Sequence, residues 1–255
     1  MGSEVDIALI YTAITVLRSL LVLPTISNMN ILKVLLPTRC ILCDLNCDQA
    51  DFICEACHDS LPHYQSGCTG CGIIIDNHRE KNLCGSCILS PPPFDNIQAL
   101  FEYEPPISLL IHQLKFSGNL LIARFLATKW IDYLKNTMRP DLILPVPLHH
   151  TRLSERGFNQ ALEIAKPIGK YFQIPIDTRS CIRIKNTQAQ SSLPASKRKH
   201  NLKNAFGLSR SISVRHVAIL DDVVTTGNTI SEIAHLLRKV GVEQIDTWCC
   251  ARARK

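Results

Sequence analysis

Few folds accommodate the stretch Val217-Ala-Ile-Leu-Asp221-Asp222-Val-Val-Thr225-Thr226-Gly227-Asn228-Thr229. Its four leading apolar residues read as a short buried strand. Two acids follow, then a hydroxyl-rich loop with one Gly, then a helix over residues 229–240 closed by Gly241. A buried strand feeding a helix belongs to a parallel sheet with helical crossovers. The junction is suited to anions, because helix N-terminal N–H groups lack partners within the helix and the macrodipole favours negative charge there. Thr225, Thr226 and Thr229 add hydroxyl donors, and Gly227 lets the backbone close around a phosphate. Asp221 and Asp222 cannot take a phosphate; they suit a vicinal diol or a metal carried by the ligand. A 5′-phosphate plus a free diol is a ribose 5-phosphate group. The plain alternative, a βα turn with a Thr N-cap, needs neither two adjacent acids nor three threonines.

The C-terminal two thirds continue this pattern. Strands are expected over residues 97–103, 141–146, 181–184, 217–220 and 244–250. Helices are expected over 106–116, 119–138, 159–172 and 229–240, with Pro167 kinking or splitting the third. Alternating strands and helices place ligands at the carboxyl ends of the strands. The strand at 141–146 ends in Pro147-Leu-His149-His150-Thr-Arg152-Leu-Ser-Glu-Arg156-Gly-Phe-Asn-Gln160. His149, Arg152 and Arg156 there suggest a second anion site, since the guanidinium fork matches pyrophosphate; a solvated surface loop is the alternative.

The N-terminal part obeys a different rule. Nine of twelve cysteines lie between Cys40 and Cys87, and eight form the pairs Cys40/Cys43, Cys54/Cys57, Cys68/Cys71 and Cys84/Cys87. Each C-x-x-C turn presents two thiolates to one face, so two turns complete a tetrahedral Zn²⁺ shell. Taken consecutively the pairs make two zinc ribbons; a crossed arrangement, first with third and second with fourth, is the alternative. Repeated pairs of this kind indicate metal in a reducing compartment, here the cytoplasm, rather than a secreted disulfide scaffold or a redox couple. Cys47, His58, His63 and His78 are left over once two shells are filled. Pro91-Pro92-Pro93 reads as a stiff linker. The expected domains are an apolar extension (1–36), a double zinc-ribbon module (37–90) and an α/β domain (91–255). Residues 7–23 are mostly apolar but at the short limit for a membrane span. The extension reads as an interfacial helix, a marginal anchor, or sequence upstream of a start at Met29.

Net charge is +6, concentrated where residues 178–220 carry nine Lys/Arg and no acid. A local basic excess suits a polyanion or a phosphate-rich ligand; a solvated loop is the alternative. Arg252 and Arg254 add to the basic C-terminus, whereas 6% aromatic residues offer few stacking platforms for single strands.

The stretch at 217–229 resembles the fingerprint of type I phosphoribosyltransferases at every position. Together with P-V-P-L-H (145–149), R-L-x-x-R-G-F-N-Q (152–160), R-I-K-N-T-Q-A-Q (183–190), R-K-H-N (198–201), I-H-Q-L-K-F (111–116) and the Cys module, it resembles the competence protein F family from about residue 31 onward. The resemblance implies a parallel-sheet type I phosphoribosyltransferase fold behind a double zinc ribbon, and a role in DNA uptake during natural transformation. It implies phosphoribosyl pyrophosphate (PRPP) with Mg²⁺ as ligand. Thr225, Thr226, Gly227, Asn228 and Thr229 would hold the 5′-phosphate, Asp221 and Asp222 the ribose hydroxyls, and His149, Arg152 and Arg156 the pyrophosphate. Arg183, Lys197, Arg198 and Lys199 lie in a segment that would either close over PRPP, shielding the reacting carbon from water, or contact nucleic-acid backbone. Two functions follow: a phosphoribosyltransferase-like protein in competence, its acceptor open, or a non-catalytic single-stranded-DNA-handling factor with PRPP or a nucleotide as regulatory ligand. Other DNA-uptake proteins are the expected protein partners.

Overall fold

The computed structural model describes residues 38–47, 52–75, 83–186 and 204–254. The expectations for residues 1–36, and for Lys197, Arg198 and Lys199, lie outside these. Among the described residues no helix is long and apolar enough to cross a membrane.

The first cysteines lie on a short antiparallel ribbon, β1 (Thr38–Arg39) with β2 (Asn46–Cys47). Cys54 and Cys84 are the N-caps of two short helices, α1 (Glu55–Asp59) and α2 (Gly85–Leu89). Each C-x-x-C pair there turns its second thiol into the helix, beside the first. After the prolines comes β3 (Asn96–Glu102), then α3 (Ile107–Ser117) and α4 (Leu120–Leu134). β4 (Leu142–Pro145) leads to α5 (His150–Arg156) and α6 (Gln160–Phe172). β5 (Cys181–Arg183) and β6 (Phe206–Leu208) pair antiparallel. The chain ends with β7 (His216–Val224), α7 (Asn228–Lys239) and β8 (Gln244–Arg252).

Four strands form one parallel sheet in the order β3-β8-β7-β4. The period of two divides its side chains between two cores. Ile143, Ala218 and Leu220 face one side, with α3, α4 and α6. Leu142, Leu144, Val217 and Ile219 face the other, with α7 and the β5–β6 hairpin. Helix α3 follows its apolar spacing, with Ile107, Leu110, Ile111 and Leu114 all buried. Pro167 does not split α6, which runs on to Phe172. Ile164 and Ala165 before the proline and Ile168 and Phe172 after it are all buried in the same core, which outweighs the one hydrogen bond the proline removes.

The zinc-ribbon part shares this architecture. Tyr64 N donates to Leu100 O at 3.0 Å and Glu102 N to Pro62 O at 2.7 Å, so residues 62–64 lie as an antiparallel strip along the free edge of β3. Cys40, Ile53 and Leu61 belong to the same core cluster as Phe101 and Phe125. The second set of cysteines keeps a separate small core of Cys68, Ile73 and Cys87.

Candidate functional site

The cysteines group consecutively: Cys40, Cys43, Cys54 and Cys57 in one cluster, Cys68, Cys71, Cys84 and Cys87 in the other. The crossed pairing is thereby excluded. Sγ–Sγ separations of 3.6 Å for Cys43–Cys54 and 3.7 Å for Cys71–Cys84 match the spacing of about 3.8 Å that four Zn–S bonds of about 2.3 Å impose. Burial raises the Cys40 and Cys68 thiols, but backbone N–H groups outweigh it and hold both at about 6. Leu42 N and Cys84 N are among those donors, at 3.4 Å and 3.2 Å. Such donors favour thiolate, the form that binds metal. Both sets fit structural Zn²⁺.

The two proposed anion elements meet on adjacent strands. β4 pairs with β7 in register, Pro145 opposite Leu220, and Val146 N continues the ladder to Leu220 O at 2.9 Å. The loops leaving both strands therefore open on the same edge of the sheet. Past β7, Gly227 sits at φ +78 and starts α7; only Gly adopts that backbone without strain. Thr225 and Thr226 are exposed in front of it, and Asn228 and Thr229 begin the helix. Past β4, residues outside every expected helix form α5. With Leu153 as its sole aliphatic residue, that stretch shows no helical periodicity in sequence. The helix puts Arg152 and Arg156 four residues apart, on one face. His149 caps it, its Nδ1 accepting from Thr151 N at 3.4 Å; burial and the neighbouring His150, Arg183 and Arg152 hold its imidazole below the ordinary value.

Lys115, unassigned in sequence, reaches this site from α3. Its Nζ lies 2.9 Å from Asp222 Oδ2, and Asp222 is 6% exposed. Burial disfavours the lysine cation, but Asp222 and Asp221 more than offset it and raise its pKa. The sequence signal was present: Lys115 borders the buried Leu114 within I-H-Q-L-K-F, one step off the apolar stripe. Asp221, half-buried, is pushed up to about 7 by burial and by Asp222, against the pull of Lys115 and Arg183. Lys115, Arg152 and Arg156 line a cavity of about 370 Å³ with Phe116, Glu155 and Phe158. Arg156 donates to Gln160 Oε1 at 3.1 Å and lies over the Phe116 ring, 5.4 Å from its centroid. Arg183, on β5, lies near Arg152 and Asp221, and burial together with Arg152 lowers its pKa. Arg252, 1% exposed, takes no part in a basic surface, while the exposed Arg254 pairs with Glu102 at 2.7 Å and Glu104 at 3.2 Å.

Asn159 fastens the cationic helix pair to the strand. Its Oδ1 accepts from Ala161 N at 3.0 Å and Leu162 N at 3.4 Å, and its Nδ2 donates to Val146 O at 3.0 Å. Asn159→Ala is expected to cost about 2 kcal/mol, one cap plus one buried hydrogen bond. That lowers Tm by roughly 4–8 °C at this size. Asn159→Asp keeps the cap and recovers about half; equal melting of Asn159→Ala and the unaltered protein would contradict this role.

A four-stranded parallel sheet with this strand–acid–loop–helix edge, behind two Cys₄ clusters, defines a protein of phosphoribosyltransferase fold carrying a double zinc ribbon. The phosphoribosyl transferase domain family matches residues 159–255 and the double zinc ribbon domain family residues 31–88. The Haemophilus influenzae competence protein F is 36% identical over 84% of this chain and 97% of its own length. The Escherichia coli O157:H7 DNA utilization protein YhgH is 37% identical over 78% of this chain and 90% of its own. An adenine phosphoribosyltransferase structure from Thermoanaerobacter pseudethanolicus aligns over 52% of this chain and 70% of its own, at 15% identity and a TM-score of 0.32. The chain belongs to the competence protein F/DNA utilization protein YhgH family.

Proposed function

We propose that this protein binds PRPP with Mg²⁺ at the shared edge of β4 and β7, as a phosphoribosyltransferase-like component of DNA uptake. The observation that carries the reading is the meeting of two opposite demands on adjacent strands. A hydroxyl-lined helix start follows an acidic pair on β7, and Lys115, Arg152 and Arg156 gather beside it. A ligand with phosphate at one end, a diol in the middle and pyrophosphate at the other satisfies both. The 5′-phosphate accepts from the Thr225, Thr226 and Thr229 hydroxyls and the loop N–H groups. Asp221 accepts from the ribose hydroxyls, and Asp222 aligns it by holding Lys115. Arg152, Arg156 and His149 meet the pyrophosphate, where charge builds as the C1–O bond lengthens. Mg²⁺ would supply further neutralisation of that leaving group; Asp221, a carboxylate carrying excess negative potential, fits a cation nearby. The relatives' names, competence protein F and DNA utilization protein, support a setting in DNA uptake. Eight zinc-binding thiolates suit the reducing cytoplasm. Division of the chain at residues 90/91 is part of the same reading.

Thermal melting tests it. Mg-PRPP at a hundred times its Kd stabilises by about 2.7 kcal/mol, a rise of roughly 5–10 °C, and Asp221→Ala abolishes the rise. No shift in the unaltered protein would sink the reading. One observation favours the non-catalytic alternative: Phe116 is 66% exposed, 4.5 Å from His112 and beneath Arg156, a stacking surface beside cations. In that case single-stranded DNA binds with affinity falling steeply with salt and no pyrophosphate is released.

A further inference from the structure

Arg252 ends β8 almost wholly buried. Burying a guanidinium is costly unless its N–H groups are met, and here main-chain carbonyls meet those of Nε and Nη1. Nε donates to Cys71 O at 3.0 Å. Nη1 donates to Val224 O at 2.9 Å, to Ala253 O at 3.1 Å and to Thr225 O. Cys71 belongs to the second cysteine cluster, and Val224 and Thr225 open the loop assigned above to the 5′-phosphate. One rigid fork of donors therefore spans the zinc knuckle and the loop.

Two features give this span a consequence. Among the described residues the second cluster has a small core of Cys68, Ile73 and Cys87 with Cys71, Ile75 and Cys84 packed against it, so the metal its four thiolates share, together with the Tyr64 hydroxyl that donates to Gly72 O, sets the place of Cys71. Peptide groups are planar and trans, so holding the carbonyls of Val224 and Thr225 turns the N–H groups of Thr225 and Thr226 the opposite way. A cleft of about 470 Å³ separates knuckle and loop, lined among others by Cys84, Ser86, Thr226, Asn228 and His235. Arg252 crosses at its base.

We propose that Arg252 is a positioning residue through which zinc at the second cysteine cluster sets the shape of the 5′-phosphate loop. The ligand assignment of that loop rests on the proposed function; the coupling itself does not.

Amide hydrogen exchange of the zinc-loaded full chain reads the coupling without any ligand. Arg252→Met keeps most of the volume and removes every donor. The amides of Ser231 and Ala253, which donate to Gly227 O and Val224 O at the two ends of the loop, are expected to exchange at least about tenfold faster, while residues 164–169 of α6 stay unchanged. Cys84→Ser, which opens the second cluster, is expected to give the same local rise alone and to add nothing to Arg252→Met, because both act through one contact. Arg252→Lys, a cation able to reach only part of the carbonyl set, falls between. Unchanged exchange at Ser231 and Ala253 in Arg252→Met overturns the proposal, as does a Cys84→Ser effect additive with it. Should Arg252→Met fail to fold, Arg252→Lys decides: protection equal to the unaltered protein overturns it. Mg-PRPP titration is a separate arm. With binding in the unaltered protein, Arg252→Met weakens it about tenfold while two zinc ions remain; absence of binding there removes the ligand reading and leaves the exchange result to judge the coupling.

Discussion

Cys54→Ser is expected to unfold the whole chain, whereas Cys84→Ser leaves the parallel sheet folded. The two clusters are alike in chemistry and differ in what they are packed against. Cys40 is 3% exposed within the main core, together with Ile53 and Leu61, and Cys54 and Cys57 pack against the same cluster. Residues 62–64 follow directly and cover the edge of β3. Structural zinc contributes about 10–16 kcal/mol of apparent binding energy, against a total domain stability of about 5–15 kcal/mol. Losing the first ion therefore exceeds what the domain has in reserve. The same loss at the second site falls, among the described residues, on the separate small core of Cys68, Ile73 and Cys87 and not on the main core. Circular dichroism melts of the two variants, with metal counted at two ions in the unaltered protein, check this. Equal Tm losses in the two variants would contradict the asymmetry, and fewer than two ions per unaltered chain would contradict the double ribbon.

Lys115→Met is expected to cost about 3–5 kcal/mol, the penalty for leaving one member of a buried ion pair alone. Asp222 would then be a carboxylate at 6% exposure, without its ammonium and next to Asp221. Loss of the ammonium also removes its downward pull on Asp221, so the Asp221 pKa, already raised to about 7 by burial and by Asp222, rises further above its unfolded value near 4. The folded variant then binds more protons than the unfolded chain, and stability falls as pH rises through the interval between the two values. Urea midpoints should fall between pH 5 and pH 8 in the unaltered protein, through Asp221, and fall further in Lys115→Met. Lys115→Met combined with Asp222→Asn removes both charges and should regain most of the loss. A single variant melting like the unaltered protein at pH 8 would show that the pair carries no stability.

The same residues separate what sequence can reveal from what it cannot. Strands β3, β4 and β8 and helices α3, α6 and α7 were legible, because a period of 2 or 3.6 is written locally. The helix α5 was not, since a single Leu gives no stripe to recognise. Pro167 pointed to a break that burial on both sides of it overrides. Lys115 was readable only as part of a resemblance, because its significance lies in a carboxylate on another element.

The sequence by itself determined the local devices: the acid–loop–helix junction at residues 221–229 and four C-x-x-C turns. In each, the interacting atoms come from residues a few positions apart, so the chain has little freedom to place them otherwise. Tertiary structure alone decided which pairs share a metal and that residues 62–64 edge the sheet. It also decided that Lys115 neutralises Asp222 and that Arg252 joins Cys71 to the loop. Those contacts join residues far apart in the chain, at the cost of closing long loops. They exist only because burial of the two cores offsets that entropy and fixes the elements that carry them.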